Sequence, residues 1–309
     1  TVQSRIFISG HIGLVGSALV RKFKNAGFQN ILVCTHSEVN LQSRSAVWNF
    51  FEKNHPEYVI IAAAKVGGIA ANIAEPVNFF VDNLEIQNNL LLACQHFNVT
   101  KTVFLGSSCI YPREAQQPMS ETCLMQGPLE PTNESYAIAK IAGIRLAQAL
   151  RQQYSLNVIC PMPCNVYGPG DHFEFKRSHV VSALVRRFVE AKTTGAPIVT
   201  LWGTGKACRE LLHVDDLADA CMFLLKNYDL PEIINVGSGQ DLTISELAKT
   251  IVTIVGYAGK LEWDTTKADG MTKKLLDVSR LHTLGWRHKI ILEKGIQSVV
   301  ADFEERYQQ

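Results

Sequence analysis

The chain lacks a strong charge of either sign: 30 lysines and arginines stand against 29 aspartates and glutamates in 309 residues, a formal charge of +1. That balance gives no global field, so neither nucleic acid nor an anionic membrane surface is an expected partner. Long apolar runs are missing too. No stretch approaches the roughly 18–20 residues that a membrane-spanning helix needs, and Thr1-Val2-Gln3-Ser4 leads straight into a short apolar run without a leader pattern. The expected compartment is the cytosol. Cysteine is present without a framework: Cys34, Cys94, Cys109, Cys123, Cys160, Cys164, Cys208 and Cys221 are scattered, which argues against disulfides. Cys160 and Cys164 are four apart in a proline-rich stretch, but no second pair or histidine cluster completes a zinc site, and no metal is expected.

Hydrophobic residues make up 47% and charged residues 19%, the composition of an ordinary globular α/β protein. Short aliphatic runs alternate with helical patterns through the first half. Strands are expected at 5–9, 31–34, 58–62, 102–105 and 157–161, with helices at 14–24, 43–53, 77–97 and 134–154. This alternation predicts a Rossmann-type, doubly wound parallel sheet, whose buried strands read as continuous aliphatics. Beyond about residue 165 the pattern becomes mixed. Helices are expected at 214–228, 243–255 and 292–306, with Thr243 and Glu246 in capping-box spacing, and a strand at 233–236 that rejoins the sheet. The expected division is a dinucleotide-binding domain at 1–168, joined by about 207–236, and a smaller α/β substrate-binding region at 169–206 and 237–309. No internal repeat or low-complexity tract is visible.

Gly10-His11-Ile12-Gly13-Leu14-Val15-Gly16 joins the first strand to the first helix. Glycines there allow a tight turn and close backbone approach, and the helix amides face a pyrophosphate. The spacing is G-x-x-G-x-x-G, not the commonest fingerprint, and three glycines alone are weak evidence; their placement carries the reading. The second strand ends in Cys34-Thr35-His36-Ser37, with neither the acid that binds a ribose hydroxyl nor the arginine that accepts a 2′-phosphate.

Tyr136 and Lys140 lie one helical turn apart on one face. A neighbouring ammonium favours a phenolate, so the pair suits an acid that protonates a ketone oxygen as hydride arrives. Such pairs are common on ordinary helices. Here Ser107 also ends the fourth strand, where open α/β sheets bind ligands, and can hydrogen-bond the same carbonyl.

With these elements in order, the chain resembles the extended short-chain dehydrogenases/reductases over nearly its whole length, and among them the enzymes that epimerise and reduce GDP-ketosugars. The most specific stretches are Ala62-Ala63-Ala64-Lys65-Val66-Gly67-Gly68, Leu105 to Pro112 with Ser107-Ser108-Cys109, Glu130-Pro131-Thr132-Asn133-Glu134, and Leu211-Leu212-His213-Val214-Asp215-Asp216. The resemblance implies conversion of GDP-4-keto-6-deoxy-D-mannose to GDP-L-fucose, by inversion at C3 and C5 and then reduction at C4. It assigns proton transfer in the inversions to Cys109 and His179, reduction to Ser107, Tyr136 and Lys140, and substrate binding to Asn165, Arg187, Trp202, Arg209 and Lys274. It places the cofactor against the glycine loop and His36, Ala63, Leu105, Tyr136, Lys140, Pro163, Val166 and His179. It also implies a homodimer through helices 77–97 and 134–154. Taken without it, Cys109 reads as a buried small hydrophobe and His179 as a residue at a helix start.

Departures from the family pattern are specific. The resemblance implies NADPH as the cofactor, and because Ile12 and His36 stand where NADP-dependent relatives carry arginines, NADH is left open. Ser43 replaces an adenine-contacting Asp, Ser135 and Ser182 replace prolines, and Gly170 and His172 alter a run near the sugar. Three alternatives stand beside the main expectation: a GDP-L-colitose synthase inverting C5 only, a 4-epimerase with tightly held NAD, and a non-catalytic dinucleotide sensor. The last should have lost Tyr136 or Lys140, and both are present.

Overall fold

The computed structural model describes residues 1–174, 178–267 and 271–307. The first half runs β1 (Ile6–Ser9), α1 (Leu14–Asn25), β2 (Ile31–Leu32), α2 (Arg44–Asn54), β3 (Tyr58–Ile61), α3 (Ile69–Ala74), α4 (Pro76–His96), β4 (Lys101–Phe104), α5 (Glu134–Tyr154) and β5 (Val158–Ile159). The five strands form a parallel sheet in the order β2-β1-β3-β4-β5, with Ile6 beside both Ile31 and Tyr58, and Tyr58 beside Lys101. The expected doubly wound α/β fold is therefore present. β1 and β4 are buried along their full length, which is why their residues do not alternate. Strand order reverses between β1 and β3, and that reversal opens a crevice at their carboxyl ends.

The strand expected at 157–161 is split. Pro161 and Pro163 have no amide hydrogen to donate, so β6 (Pro161–Pro163) leaves the β4 ladder and pairs in parallel with β10 (Ile234–Val236). Carbonyls keep the junction closed, Pro161 O accepting from the Gly106 amide at 2.9 Å and Cys160 O from the Ile234 amide at 3.2 Å.

The second half adds β7 (Asn165–Tyr167), α6 (Val180–Thr194), β8 (Ile198–Trp202), β9 (Cys208–His213), α7 (Val214–Asn227), β11 (Asp241–Thr243), α8 (Ile244–Val255), β12 (Lys260–Asp264), β13 (Lys273–Lys274), α9 (Ser279–Thr283) and α10 (Leu292–Tyr307). β9 is its hub, parallel to β7 and β13 and antiparallel to β11. The capping box forms: Thr243 Oγ1 accepts from the Glu246 amide at 3.1 Å, and the Glu246 carboxylate accepts from the Thr243 amide at 2.8 Å.

Two apolar clusters hold these parts. One spans the parallel sheet, α7 and β10, and includes Leu276, Val278, Leu281 and Trp286 from near the carboxyl end. The other joins α6, α8 and α10 through Phe188, Ile251, Val299 and Phe303. Lys101 ties β4 to the end of α7, its buried ammonium donating to the Leu224, Leu225 and Tyr228 carbonyls at 3.2, 2.7 and 2.7 Å. A cation at a helix carboxyl end meets unpaired carbonyls and the negative pole of the dipole. No helix among the described residues is long and apolar enough to cross a membrane.

Candidate active site

The glycine turn sits at the reversal point. Gly10 adopts φ +76°, and a Cβ there would stand 2.8 Å from the Ala63 amide and Cα at the end of β3. A Cβ on Gly16 would run into the Gly10 carbonyl. Gly13 caps α1 without a side-chain hydrogen bond, and no acid lies in the first turn. The turn thus presents backbone amides and the positive end of α1 to an anion. Within it, buried His11 Nδ1 has no hydrogen-bond partner among the described residues. A cofactor pyrophosphate fits this cradle. Ile12 is 70% exposed and His36 is exposed as well. Glu38, which the sequence reading passed over, is the nearest acid after β2. Its carboxylate accepts from the Thr35 amide at 2.7 Å and hydroxyl at 2.8 Å, and these bonds hold it below the usual carboxylate range. Ser43 caps α2 by accepting from the Ala46 amide at 3.4 Å.

At the far side of the crevice, α5 brings Tyr136 and Lys140 to the end of β4. Its close approach depends on Gly143, where a Cβ would stand 2.6 Å from the Phe104 ring. Lys140 is 4% exposed and donates to Leu105 O at 2.9 Å, with Nζ 4.9 Å from the Phe104 ring centre and 6.0 Å from that of Tyr136. Burial pulls its ammonium down to about 8. Burial also pushes the Tyr136 phenol well up, as does charge on Cys109, against a hydrogen bond with Ser107 that lowers it. The expected depression of the phenol by Lys140 is therefore not what this geometry gives. The ammonium is turned to a carbonyl, and desolvation sets the direction of the phenol.

Ser107 Oγ accepts from the Cys109 amide at 3.2 Å, which fixes the turn that carries the thiol. Lys274 Nζ donates to Cys109 Sγ at 3.2 Å. Burial alone would raise this thiol, but the Lys274 charge, hydrogen bonds from Ser107 and Lys274, and the charge on His179 together bring it below its ordinary value. His179 is shifted the opposite way. Asp171 Oδ1 lies 3.3 Å from its Nδ1 and raises the imidazole, burial opposing and the Asp171 and Cys109 charges assisting. Asp171 is the residue the sequence reading missed here; its one sign was an acid eight positions before His179.

The other expected residues fall into two groups. Register on the β9 hub sets Asn165 beside Leu211 and Lys274 beside Arg209, so β7, β9 and β13 bring these side chains to one small sheet. Arg209 donates to the Cys208 and Met271 carbonyls at 2.7 and 2.6 Å. Arg187 instead donates to Thr200 O on β8 at 3.1 Å, and Trp202 ends that strand, 60% exposed, with Lys267 Nζ 6.0 Å from its ring centre. Pro163 and Val166 lie on β6 and β7 beside Val236 and Leu212. The Lys65 to Gly68 stretch is pinned by Asn83, whose side chain bonds both the amide and the carbonyl of Lys65 at 2.9 and 3.0 Å. A Cβ on Gly68 would stand 3.4 Å from Ser178 O, so this loop abuts the segment that carries His179. No group of three or more His, Cys, Asp or Glu placed to hold a metal occurs among the described residues.

A dinucleotide cradle facing a serine, a phenol and a buried amine defines a nicotinamide-dependent oxidoreductase of the short-chain type, here with a thiol and an imidazole shifted in opposite directions. Comparison with known proteins narrows that class. The model of the NAD dependent epimerase/dehydratase family matches residues 6–237, and the chain belongs to that family. It is 53% identical over 294 residues to GDP-L-fucose synthase 1 of Arabidopsis thaliana, covering 95% of this chain and 91% of the relative. It is 47% identical over 312 residues to the GDP-L-fucose synthase of Escherichia coli K12, covering 98% and 97%. A GDP-L-colitose synthase of Yersinia pseudotuberculosis is more distant, 36% identical with 97% of both chains covered. Among solved structures, a GDP-mannoheptose C4 reductase from Campylobacter jejuni with NADP bound superposes with a TM-score of 0.91 at 35% identity, covering 98% of this chain and 99% of that one.

Proposed function

We propose that the protein converts GDP-4-keto-6-deoxy-D-mannose to GDP-L-fucose, inverting C3 and C5 and then reducing C4. The observation that carries this reading is a site with two acid–base sets: Ser107, Tyr136 and Lys140 on one side, and Cys109 and His179, shifted in opposite directions, on the other. A C4 ketone acidifies the hydrogens on C3 and C5. Cys109 as thiolate removes one of these, leaving an enolate, and His179 as imidazolium returns a proton to the opposite face; once the thiol has lost its proton to water and the imidazole has regained one, the second carbon is inverted likewise. Ser107 holds the ketone oxygen, and Tyr136 gives it a proton as C4 is reduced. Lys140 holds the α5 face against Leu105 O. When bound, the reduced nicotinamide supplies the hydride.

The greater identity to the two fucose synthases than to the colitose synthase supports the fucose product. NADPH is the proposed cofactor, supported by the NADP-bound relative; exposed Ile12 and His36 leave few fixed charges for a 2′-phosphate, so NADH should also serve. Asn165, Arg209 and Lys274 are the proposed sugar-diphosphate contacts, with Arg187 and Trp202 at the nucleotide end, where a guanidinium suits phosphate and an indole offers a stacking face. The dinucleotide domain is drawn as 1–168 with about 207–236, the remainder forming the substrate-binding region. A homodimer through α4 and α5 is supported by exposed Val77 and Val81 on α4 and Ile138 on α5, and sedimentation at micromolar concentration should give twice the chain mass; a monomer there would remove it. The deciding experiment offers GDP-4-keto-6-deoxymannose with each reduced nicotinamide. GDP-L-fucose is the expected product, and a product inverted at C5 alone, or none, would reject the reading.

A further inference from the structure

We infer that Asp171 is the positioning residue of the epimerase pair, a buried carboxylate that fixes one imidazole face so that His179 exchanges protons with substrate through Nε2. This rests on the role proposed for His179. Asp171 is 1% exposed, and both its carboxylate oxygens and its carbonyl are held. Oδ1 lies 3.3 Å from His179 Nδ1 and also accepts from the His172 amide at 2.8 Å. Oδ2 accepts from the Ser182 hydroxyl at 2.5 Å, and Ser182 is wholly buried in the first turn of α6. The Asp171 carbonyl accepts from Arg306 Nη1 at 3.1 Å, and that guanidinium also meets Asp302, whose carboxylate accepts from the Gly170 amide at 3.0 Å. The carboxylate therefore cannot turn away, while the imidazole it faces is 41% exposed at the site edge.

Chemistry sets the tautomer. A carboxylate with two other donors upon it accepts from His179 only if Nδ1 carries the hydrogen, which leaves Nε2 to gain and lose the working proton. Burying a charged carboxylate is costly unless it is paired, and here its partner is the group that must become cationic in the proposed reaction. The raised imidazole and lowered carboxylate agree with this. Ser182 gives this chain a hydroxyl hold on Oδ2.

The test uses the full chain and Asp171→Asn, which keeps the size and removes the charge. Two rates are compared: deuterium entry from D2O at C3 and C5 of GDP-4-keto-6-deoxymannose, and oxidation of GDP-L-fucose at C4 by the oxidised nicotinamide, which requires no inversion. Deuterium entry should fall roughly 10- to 100-fold, up to the lower end of what a positioned acid–base group contributes, while C4 oxidation stays within about twofold. In a His179→Gln background the same substitution should cost nothing more, since Asp171 acts through the imidazole. Equal loss of both rates, or an undiminished effect without His179, would make Asp171 merely structural and overturn the inference. Should Asp171→Asn not fold, Ser182→Ala keeps the carboxylate, frees Oδ2, and should slow deuterium entry roughly fivefold with C4 oxidation unchanged; unchanged entry would overturn it equally. Absence of deuterium entry in the unsubstituted enzyme would instead reject the epimerase reading itself.

Discussion

The two sides of the site are tuned by different physics. At Tyr136 and Lys140 burial dominates and works against the charged form of both, pushing the phenol up and the ammonium down to about 8. At Cys109 and His179 burial also disfavours charge, yet each group has an opposite charge built against it, Lys274 3.2 Å from the thiol and Asp171 3.3 Å from the imidazole. The thiol falls, the imidazole rises, and the ionised forms a base and an acid need are favoured together. The contrast teaches that desolvation alone sets a group against ionisation, and that fixed charges and hydrogen bonds built against it reverse the sign.

The largest expected effect separates the two sides. Tyr136→Phe should lower C4 reduction by about 10³-fold, read from nicotinamide absorbance, with the melting temperature little changed; reduction within tenfold of the original would remove the phenol as the acid. Cys109→Ser should cut deuterium entry beside the ketone by about 10²-fold, yet leave oxidation of GDP-L-fucose at C4 nearly intact. A parallel fall in both would dissolve the comparison. The mildest change sharpens it: Lys274→Met removes the charge favouring the thiolate, so the Cys109 pKa should rise. Exchange that depends on thiolate should then need higher pH, its rising limb moving alkaline while the plateau changes less. A limb that stays in place, or moves to lower pH, would mean that Lys274 does not act on the thiol.

Much of this was legible in the chain. Consecutive apolar residues at 6–8, 59–61 and 103–105 betray strands buried on both faces, and the Thr243–Glu246 spacing announces its helix start. The glycine turn and the Tyr-x3-Lys helix are local patterns, and local spacing survives into structure. Tertiary register does not show in that way. Lys274 reaches Cys109 across 165 positions where the chain after β13 pairs with Met119, and no pattern at either place foretells it. Asp171 is closer in sequence to His179, but its burial depends on Ser182 and on α10 packing over the loop. The strand expected at 157–161 is present but split for a local reason, since the prolines at 161 and 163 cannot donate to the ladder. The tuning of Tyr136 failed for a global one. Sharing a helix face with Lys140 says nothing of where the ammonium points, and it points to Leu105 O.

The central claim is that inversion and reduction use separate groups in one cleft. The most direct measurement incubates Tyr136→Phe with GDP-4-keto-6-deoxymannose in D2O and follows C3, C4 and C5 by NMR. Deuterium at C3 and C5 with the C4 ketone intact is the predicted result. A ketosugar that keeps its hydrogens at both carbons, under conditions where the unsubstituted enzyme exchanges them, would contradict the account.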